Sequence, residues 1–205
     1  FPLGTENLLC RYLGIPPDGV QAAAMIAAGK RRQFDVGLVG GHRFLLMGSA
    51  GFDAEVIRRL HDSRRGNISH ASYLKPIFGA AFGFKYPELR VFVDDCQEPV
   101  CGSLAVVSNI PAYALGLPIT PDARPDDGLF DVCVFHKPGT LRLLGYGISV
   151  MRRRHTLRSD VTLIRGRTVR IESAVTCPLQ VDGDPAGTTP CEFTLVPAAL
   201  EVIAP

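Results

Sequence analysis

The chain has 205 residues, 46% hydrophobic and 20% charged, a balance that supports a buried core and excludes an intrinsically disordered polymer. Lys and Arg number 22 against 20 Asp and Glu, a net of +2, so the overall charge carries no nucleic-acid footprint and no nucleic-acid partner is expected. The longest apolar-and-glycine runs, residues 22–29 and 77–84, hold eight residues each, far short of the ~20 that a spanning helix needs.

In chain order, Phe1-Pro2-Leu3 is neither an initiator Met nor a signal sequence with a basic flank, and reads as a longer chain entered midway. The alanine-rich stretch 21–30 predicts a helix, and the pattern changes near residues 32–34. Residues 34–39 and 43–47 around Gly40-Gly41-His42 predict a hairpin. Helices are expected at 53–63 and 71–81. Strands are expected at 89–93, 103–108, 130–135, 161–164, 168–172, 178–181, 192–196 and 200–203, separated by Gly, Pro and Asp turns. A helix over 140–154 is expected to start at a Thr140 cap and to pack the shared face of Leu141, Leu144, Ile148 and Met151 on a sheet. The expected fold class is mainly β with α (α+β), preceded by the tail of an α/β unit.

Cys10, Cys96, Cys101, Cys133, Cys177 and Cys191 form no C-x-x-C pair and no zinc-ligand spacing. A chain of this size needs no disulfide staples, so reduced thiols and a cytoplasmic compartment are expected. Asn67-Ile68-Ser69 matches the glycosylation triplet, a pattern short enough to arise by chance.

Three acidic constellations sit beside glycine. Asp53, in Gly48-Ser49-Ala50-Gly51-Phe52-Asp53-Ala54, stands where a carboxylate caps a helix. Asp127, in Pro121-Asp122-Ala123-Arg124-Pro125-Asp126-Asp127-Gly128-Leu129-Phe130-Asp131, fits either an Asp-Gly turn or an oxygen-rich site for a hard cation. Gln180-Val181-Asp182-Gly183-Asp184-Pro185 fits either a hairpin turn or a carboxylate placed to take a proton from a hydroxyl. Spacing alone favours the cap for Asp53 and the turn for Asp127, and does not decide for Asp184.

Taken together and in order, these segments resemble the diacylglycerol kinase and sphingosine kinase superfamily of lipid kinases, particularly its soluble bacterial members. Pro2-Leu3-Gly4-Thr5-Glu6-Asn7 resembles the family's P-L-G-T-x-N, and Gly51-Phe52-Asp53-Ala54 its G-F-D-A. Ser108-Asn109 with Gly116 and Pro118 resembles N-x-x-x-x-G-G, Asp127-Gly128-Leu129-Phe130-Asp131-Val132 resembles D-G-x-x-D-V, and Asp182-Gly183-Asp184 falls where the family has D-G-E. The resemblance implies an NAD kinase-like architecture. Residues 1–32 would end a nucleotide-binding α/β domain, 33–187 would form a β-sandwich lipid-kinase C-terminal domain, and 188–205 would return toward the first domain. It also implies transfer of the γ-phosphate of ATP to a lipid hydroxyl with Mg²⁺. Gly4, Thr5 and Asn7 would line the nucleotide side and Asp53 would hold the lipid head group. Asp127 with the carbonyls of Arg124 and Leu129 would bind Mg²⁺, and Asp184 would be the general base, facing the same cleft as Asp53.

Two departures from the family pattern stand out. No G-G-D-G-T occurs in the 205 residues, so this chain alone is not expected to transfer phosphate. Asp184 replaces the family's Glu, one methylene shorter, and a misplacement of about 1 Å at a reacting centre costs on the order of 10²-fold. In addition, Leu115-Gly116 stands at the usual glycine pair. Arg58-Arg59 with Arg64-Arg65, and Arg152-Arg153-Arg154-His155, fit either solvated helix ends or contacts with an acidic membrane surface. The partners implied are a lipid substrate and peripheral membrane contact, with a homodimer left open. The competing readings are a non-catalytic lipid-binding or regulatory module of the same fold and a purely structural β-sandwich.

Overall fold

Short runs of β-branched and aromatic residues between Gly, Pro and Asp turns fold as strands because such side chains pack on a pleated surface. The structure is a computed structural model describing residues 6–62, 79 and 83–205. Except for residue 79, the helix expected at 71–81 lies outside these residues, as do the triplet at 67–69, Arg64-Arg65, Gly4 and Thr5.

Helices α1 (Leu8–Leu13) and α2 (Gly19–Ala28) come first. Asp18 caps α2, its Oδ1 accepting from the amides of Val20 and Gln21 at 3.0 and 2.9 Å. Then follow β1 (Arg31–Val39), β2 (His42–Phe44), β3 (Met47–Gly51) and α3 (Phe52–Asp62). The middle of the chain gives β4 (Leu89–Val93), β5 (Val100–Gly102), β6 (Leu104–Ser108), β7 (Ala112–Tyr113), β8 (Leu117–Pro118) and β9 (Phe130–Phe135). After α4 (Thr140–Met151) come β10 (Val161–Gly166), β11 (Thr168–Ser173), β12 (Pro178–Val181), β13 (Asp184–Thr188) and β14 (Cys191–Ile203).

Two antiparallel six-stranded sheets result, with strand orders β2-β1-β14-β11-β4-β5 and β10-β9-β6-β3-β12-β13, beside a small β7-β8 ribbon. Their inner faces enclose the main core, which includes Phe44, Val91, Val107, Phe130, Val132, Ile171, Val181 and Phe193. Phe44 stacks on Phe130 at 5.6 Å and meets Phe193 edge-on at 5.9 Å. Each such side chain contributes about 1.5–3 kcal/mol through burial. Gly37 makes room for this trio, since a Cβ there would fall 2.2 Å from the Phe44 ring. A second cluster covers the outer face of the second sheet, where Tyr146 and Val150 of α4 meet Met47, Val106, Cys133 and Phe135. A third joins Leu13 of α1 to Phe34, Ile110 and Ala204.

The expected hairpin is divided. Its first turn forms as read, but the chain crosses from the first sheet to the second at Leu45-Leu46, so 43–47 is not one strand. The expected strands 192–196 and 200–203 are one, β14, whose early part pairs with Val36–Val39 and whose end pairs with Arg31–Phe34. The register shifts between Phe34 and Val36. At this break Asp35, 2% exposed, accepts from the amides of Gly128 (2.8 Å) and Ala198 (2.7 Å).

Helix α4 also departs from expectation. Gly139 occupies its N-cap position, while the Thr140 hydroxyl hydrogen-bonds Tyr86 at 3.1 Å. Leu141, Leu144, Ile148 and Met151 face outward, and Leu143, Tyr146 and Val150 turn toward the sheet. Both stripes have helical spacing, and the tilted stacking of Tyr146 on Phe135 at 4.8 Å helps hold the second one down. All six cysteines are free, and burial pushes the Cys133 and Cys177 thiols up to about 12.

Candidate functional site

Gly51 ends β3 with φ at +110°, and a Cβ there would lie 2.6 Å from the carbonyl oxygen of Ser103. Only glycine fits this turn comfortably. It sends the chain directly from strand into α3 and sets Asp53 in the helix's first turn, where the helix dipole favours negative charge. Ser49 Oγ donates to Asp53 Oδ2 at 2.5 Å and Gln180 Nε2 donates to the same oxygen at 3.0 Å, while the Tyr113 hydroxyl donates to Oδ1. Three strands, β3, β7 and β12, therefore converge on one carboxylate. Gln180 is itself oriented: its Oε1 accepts from the Gly183 amide at 3.0 Å and its Nε2 also donates to Ser49 Oγ at 2.9 Å.

Burial pushes the Asp53 carboxyl above its ordinary range, and the donors Ser49, Tyr113 and Gln180 pull against that rise. An ionised carboxylate offers roughly four acceptor positions. Three are filled by neutral donors from the protein, which leaves about one without a donor among the described residues.

Asp182 and Asp184 have different surroundings although one residue separates them. Asp182 turns its carboxylate onto the β2–β3 crossing, where it accepts from the amides of Leu45, Leu46 and Met47 at 2.8, 3.0 and 2.9 Å. Desolvation raises its pKa, the three amides oppose the rise, and the charge of Asp184 adds to it. Asp184 is exposed at the start of β13 and pairs with Val181. Val181 and Ala186 belong to the core between the sheets, whereas Ser49, Gln180 and Met47 share the outer face with Asp53. Strand alternation thus sets Asp184 on the face opposite Asp53. The expectation that both face one cleft is not met, because the Asp182-Gly183 turn pairs Val181, rather than Gln180, with Asp184.

The Asp127 loop forms a separate cluster. Asp127 Oδ1 accepts from the Leu129 amide at 3.1 Å and its Oδ2 pairs with Arg165, whose Nε reaches Asp131 at 3.2 Å. Burial raises the Asp131 pKa, Arg165 lowers it, and the charges of Asp127 and Asp122 raise it again. One carboxylate with the carbonyls of Arg124 and Leu129 is an all-oxygen set, as Mg²⁺ requires, and an ion there would share or take the Asp127 oxygen that Arg165 holds. Among the described residues no group of three or more His, Cys, Asp or Glu is arranged for a metal.

Asn7 precedes α1 with left-handed backbone, φ 49° and ψ 39°. One residue on begins a hollow of about 230 Å³ lined by Leu8, Arg11, Tyr12, Ala112 and Gly116. Within the β7–β8 ribbon Ala112 lines this hollow while its neighbour Tyr113 bonds Asp53. Asn109 is fully buried and ties the fold together, its Nδ2 donating to the carbonyls of Asp35 and Leu45, each at 2.9 Å. Sequence reading missed Gln180, Tyr113, Asp35 and the anchoring role of Asp182. The available signal for Gln180 was a polar residue between Leu179 and Val181 in an otherwise apolar strand.

With this geometry in hand, comparison with known proteins is informative. Residues 47–204 match the family described as the YegS C-terminal NAD kinase beta sandwich-like domain. A protein of Mycobacterium tuberculosis named "Diacylglycerol kinase" is 29% identical over 215 residues, covering 100% of this chain and 68% of its own length. One of Pseudomonas syringae pv. tomato named "Probable lipid kinase YegS-like" is 30% identical over 217 residues, covering 100% of this chain and 66% of its own. A crystal structure described as a diacylglycerol kinase from Bacillus anthracis str. Sterne superposes with a TM-score of 0.68 at 17% identity, covering 98% of this chain and 64% of that one. Another chain from the same organism reaches a TM-score of 0.77 at 21% identity, covering 98% and 66%. At those identities the solved structures bear on fold alone. The chain spans about two thirds of the length of these proteins. No helix among the described residues is long and apolar enough to cross a membrane.

Proposed function

Because the chain belongs to the YegS family, whose C-terminal NAD kinase-like β-sandwich domain it carries, we propose that it is the substrate-side portion of an ATP-dependent lipid kinase. The observation that carries the reading is the Asp53 carboxylate, fixed by Ser49, Tyr113 and Gln180 with one acceptor position left over. In this reading Asp53 accepts a hydrogen bond from a head-group hydroxyl of a diacylglycerol-like lipid. The reacting hydroxyl oxygen forms a bond to the γ-phosphorus of ATP, the bond to the ADP oxygen breaks, and the hydroxyl proton leaves to a carboxylate. We assign that proton to Asp184. Its carboxylate is exposed at the tip of the β12–β13 hairpin, where a lipid hydroxyl can approach it from solvent.

Gly4, Thr5 and Asn7 stand on the nucleotide side in this proposal, and Arg11 in the neighbouring hollow supplies a cation for phosphate. A Mg²⁺ ion held by Asp127 and the carbonyls of Arg124 and Leu129 would brace the loop that Arg165 now braces.

The test is phosphotransfer by the intact protein from ATP to a panel of lipid alcohols, comparing wild type with Asp184→Asn and Asp184→Glu. Loss of a general base lowers the rate by typically ~10²–10⁴-fold, so the Asn form should fall by that amount with little change in lipid binding. The Glu form, with the family's side chain, should exceed wild type. Equal rates for wild type and Asn would make Asp184 a turn residue, and the non-catalytic lipid-binding reading would take its place.

A further inference from the structure

Helix α4 buries its less apolar side. Tyr146 and Val150 lie against the second sheet, while Leu141 (84% exposed), Leu144 (61%), Ile148 (51%) and Met151 (68%) recur at i, i+3, i+7 and i+10 on the outside. This row is about 15 Å long at the rise of an α-helix, and Leu157, 81% exposed in the turn that follows, extends it. Exposed leucines are ordinary one at a time, but a contiguous row marks a surface that meets something apolar.

The charge around the row says what. Residues 137–159 contain Lys137, Arg142, Arg152, Arg153, Arg154 and Arg158 and no Asp or Glu, whereas the whole chain nets only +2. Arg158 pairs with Asp160. Arg142, Arg152, Arg153 and Arg154 are exposed and form no ion pair among the described residues. A second copy of the chain meeting this face through a twofold axis would bring the same basic groups against one another. An anionic bilayer offers both an apolar interior for the row and phosphates for the arginines.

Position supports the same occupant. Phe52, the residue before Asp53, stacks on Tyr86 at 5.8 Å, and the Tyr86 hydroxyl hydrogen-bonds Thr140, the first residue of α4, at 3.1 Å. Both α4 and Asp53 lie on the outer face of the second sheet. A bilayer touching α4 would lie beside the candidate head-group carboxylate.

We propose that the outer side of α4, with Leu157 and Arg152–Arg154, docks on an anionic lipid bilayer, its apolar row entering the acyl boundary and its arginines pairing with head-group phosphates. The geometry stands alone, but the purpose of the contact rests on the lipid-kinase reading. Co-sedimentation of the intact protein with phosphatidylcholine vesicles, with and without phosphatidylglycerol and without ATP or diacylglycerol, tests it. Wild type should bind the phosphatidylglycerol vesicles, and added salt should weaken that binding. Replacing Arg152, Arg153 and Arg154 together by Gln should weaken it about 100-fold. The Leu144→Gln/Met151→Gln double variant should weaken it about tenfold or more. Both variants should keep the wild-type melting temperature, because the replaced side chains are exposed. Absence of wild-type binding, or unchanged binding in both variants, overturns the proposal. So does a dimer in sedimentation velocity that Leu144→Gln/Met151→Gln abolishes, which would give the face to a second copy. Intact vesicle binding without phosphotransfer would sink the kinase reading alone.

Discussion

The carboxylate of Asp53 and those of Asp127 and Asp131 sit at or beside the second sheet, yet their neighbours differ in kind. Asp53 is held by a serine, a tyrosine and a glutamine, all neutral, whereas Asp127 and Asp131 are bridged by the Arg165 guanidinium. Neutral donors orient a charge without cancelling it. A guanidinium cancels it and leaves little for a ligand. The comparison separates a carboxylate oriented by neutral donors from a pair that Arg165 ties together, holding the loop before β9 against β10.

The strongest test of this contrast is Asp53→Asn in the intact protein. Removing a charged hydrogen-bond acceptor should lower lipid phosphotransfer efficiency by about 10- to 100-fold. Stability should change by less than about 1 kcal/mol at neutral pH. The sign follows from the raised Asp53 pKa: its contribution to stability is present below its unfolded value and lost as pH rises through the folded one, so Asn removes a burial cost along with the acceptor. A large loss of stability with normal kinetics would reverse the two roles.

Arg165→Gln should do the opposite, destabilising the fold by about 1–2 kcal/mol at neutral pH, a figure reduced because Arg165 is 45% exposed. The raised Asp131 pKa means that its ionisation already costs stability as pH climbs, and loss of Arg165 enlarges that cost. The deficit should therefore fade on acidification toward pH 4, which urea unfolding at two pH values would read. A deficit independent of pH would assign the effect to packing of the arginine stem.

Calorimetry with Mg²⁺ sharpens the second half of the comparison. If the ion uses Asp127, Asp127→Ala should abolish binding and Arg165→Gln should strengthen it several-fold by removing the competing cation. Equal affinity in all three proteins would leave the loop with its arginine alone. The smallest expected effect is in Tyr113→Phe. One donor to the ionised Asp53 is lost, so the Asp53 pKa rises further and the acidic limb of the pH–rate profile should move alkaline by less than about one unit.

Regular elements were legible where local pattern and burial agree. Leu89–Val93 and Phe130–Phe135 are read to the residue because turns bound them and every position but one is buried. The face of α4 was read the wrong way round. Its sequence carries two apolar stripes, and hydropathy alone selects Leu141, Leu144, Ile148 and Met151, while the surface of Met47, Phe135 and Val161 selects Tyr146 and Val150. Asp53 was legible as a carboxylate at a helix start because a glycine turn and a helical pattern frame it. Its partners were not, since Tyr113 and Gln180 lie 60 and 127 residues away and no local spacing connects them. Asp182 and Asp184 look alike in sequence, and only the pairing of Val181 with Asp184 distinguishes them.

The break opposite Asp35 has a mechanical meaning. In the β1–β14 ribbon both strands lose regularity at one level: β1 shifts register between Phe34 and Val36, and Ala198 of β14 has φ at +48°. On one side the ribbon carries Phe34 and Ala204 into the packing of α1, and on the other it carries Val39 and Phe193 into the sandwich. The Asp35 carboxylate, gripping Ala198 and Gly128, is the pin of that hinge. A twist of α1 relative to the sandwich would load this buried side chain, which would pass it to the Asp127 loop through Gly128.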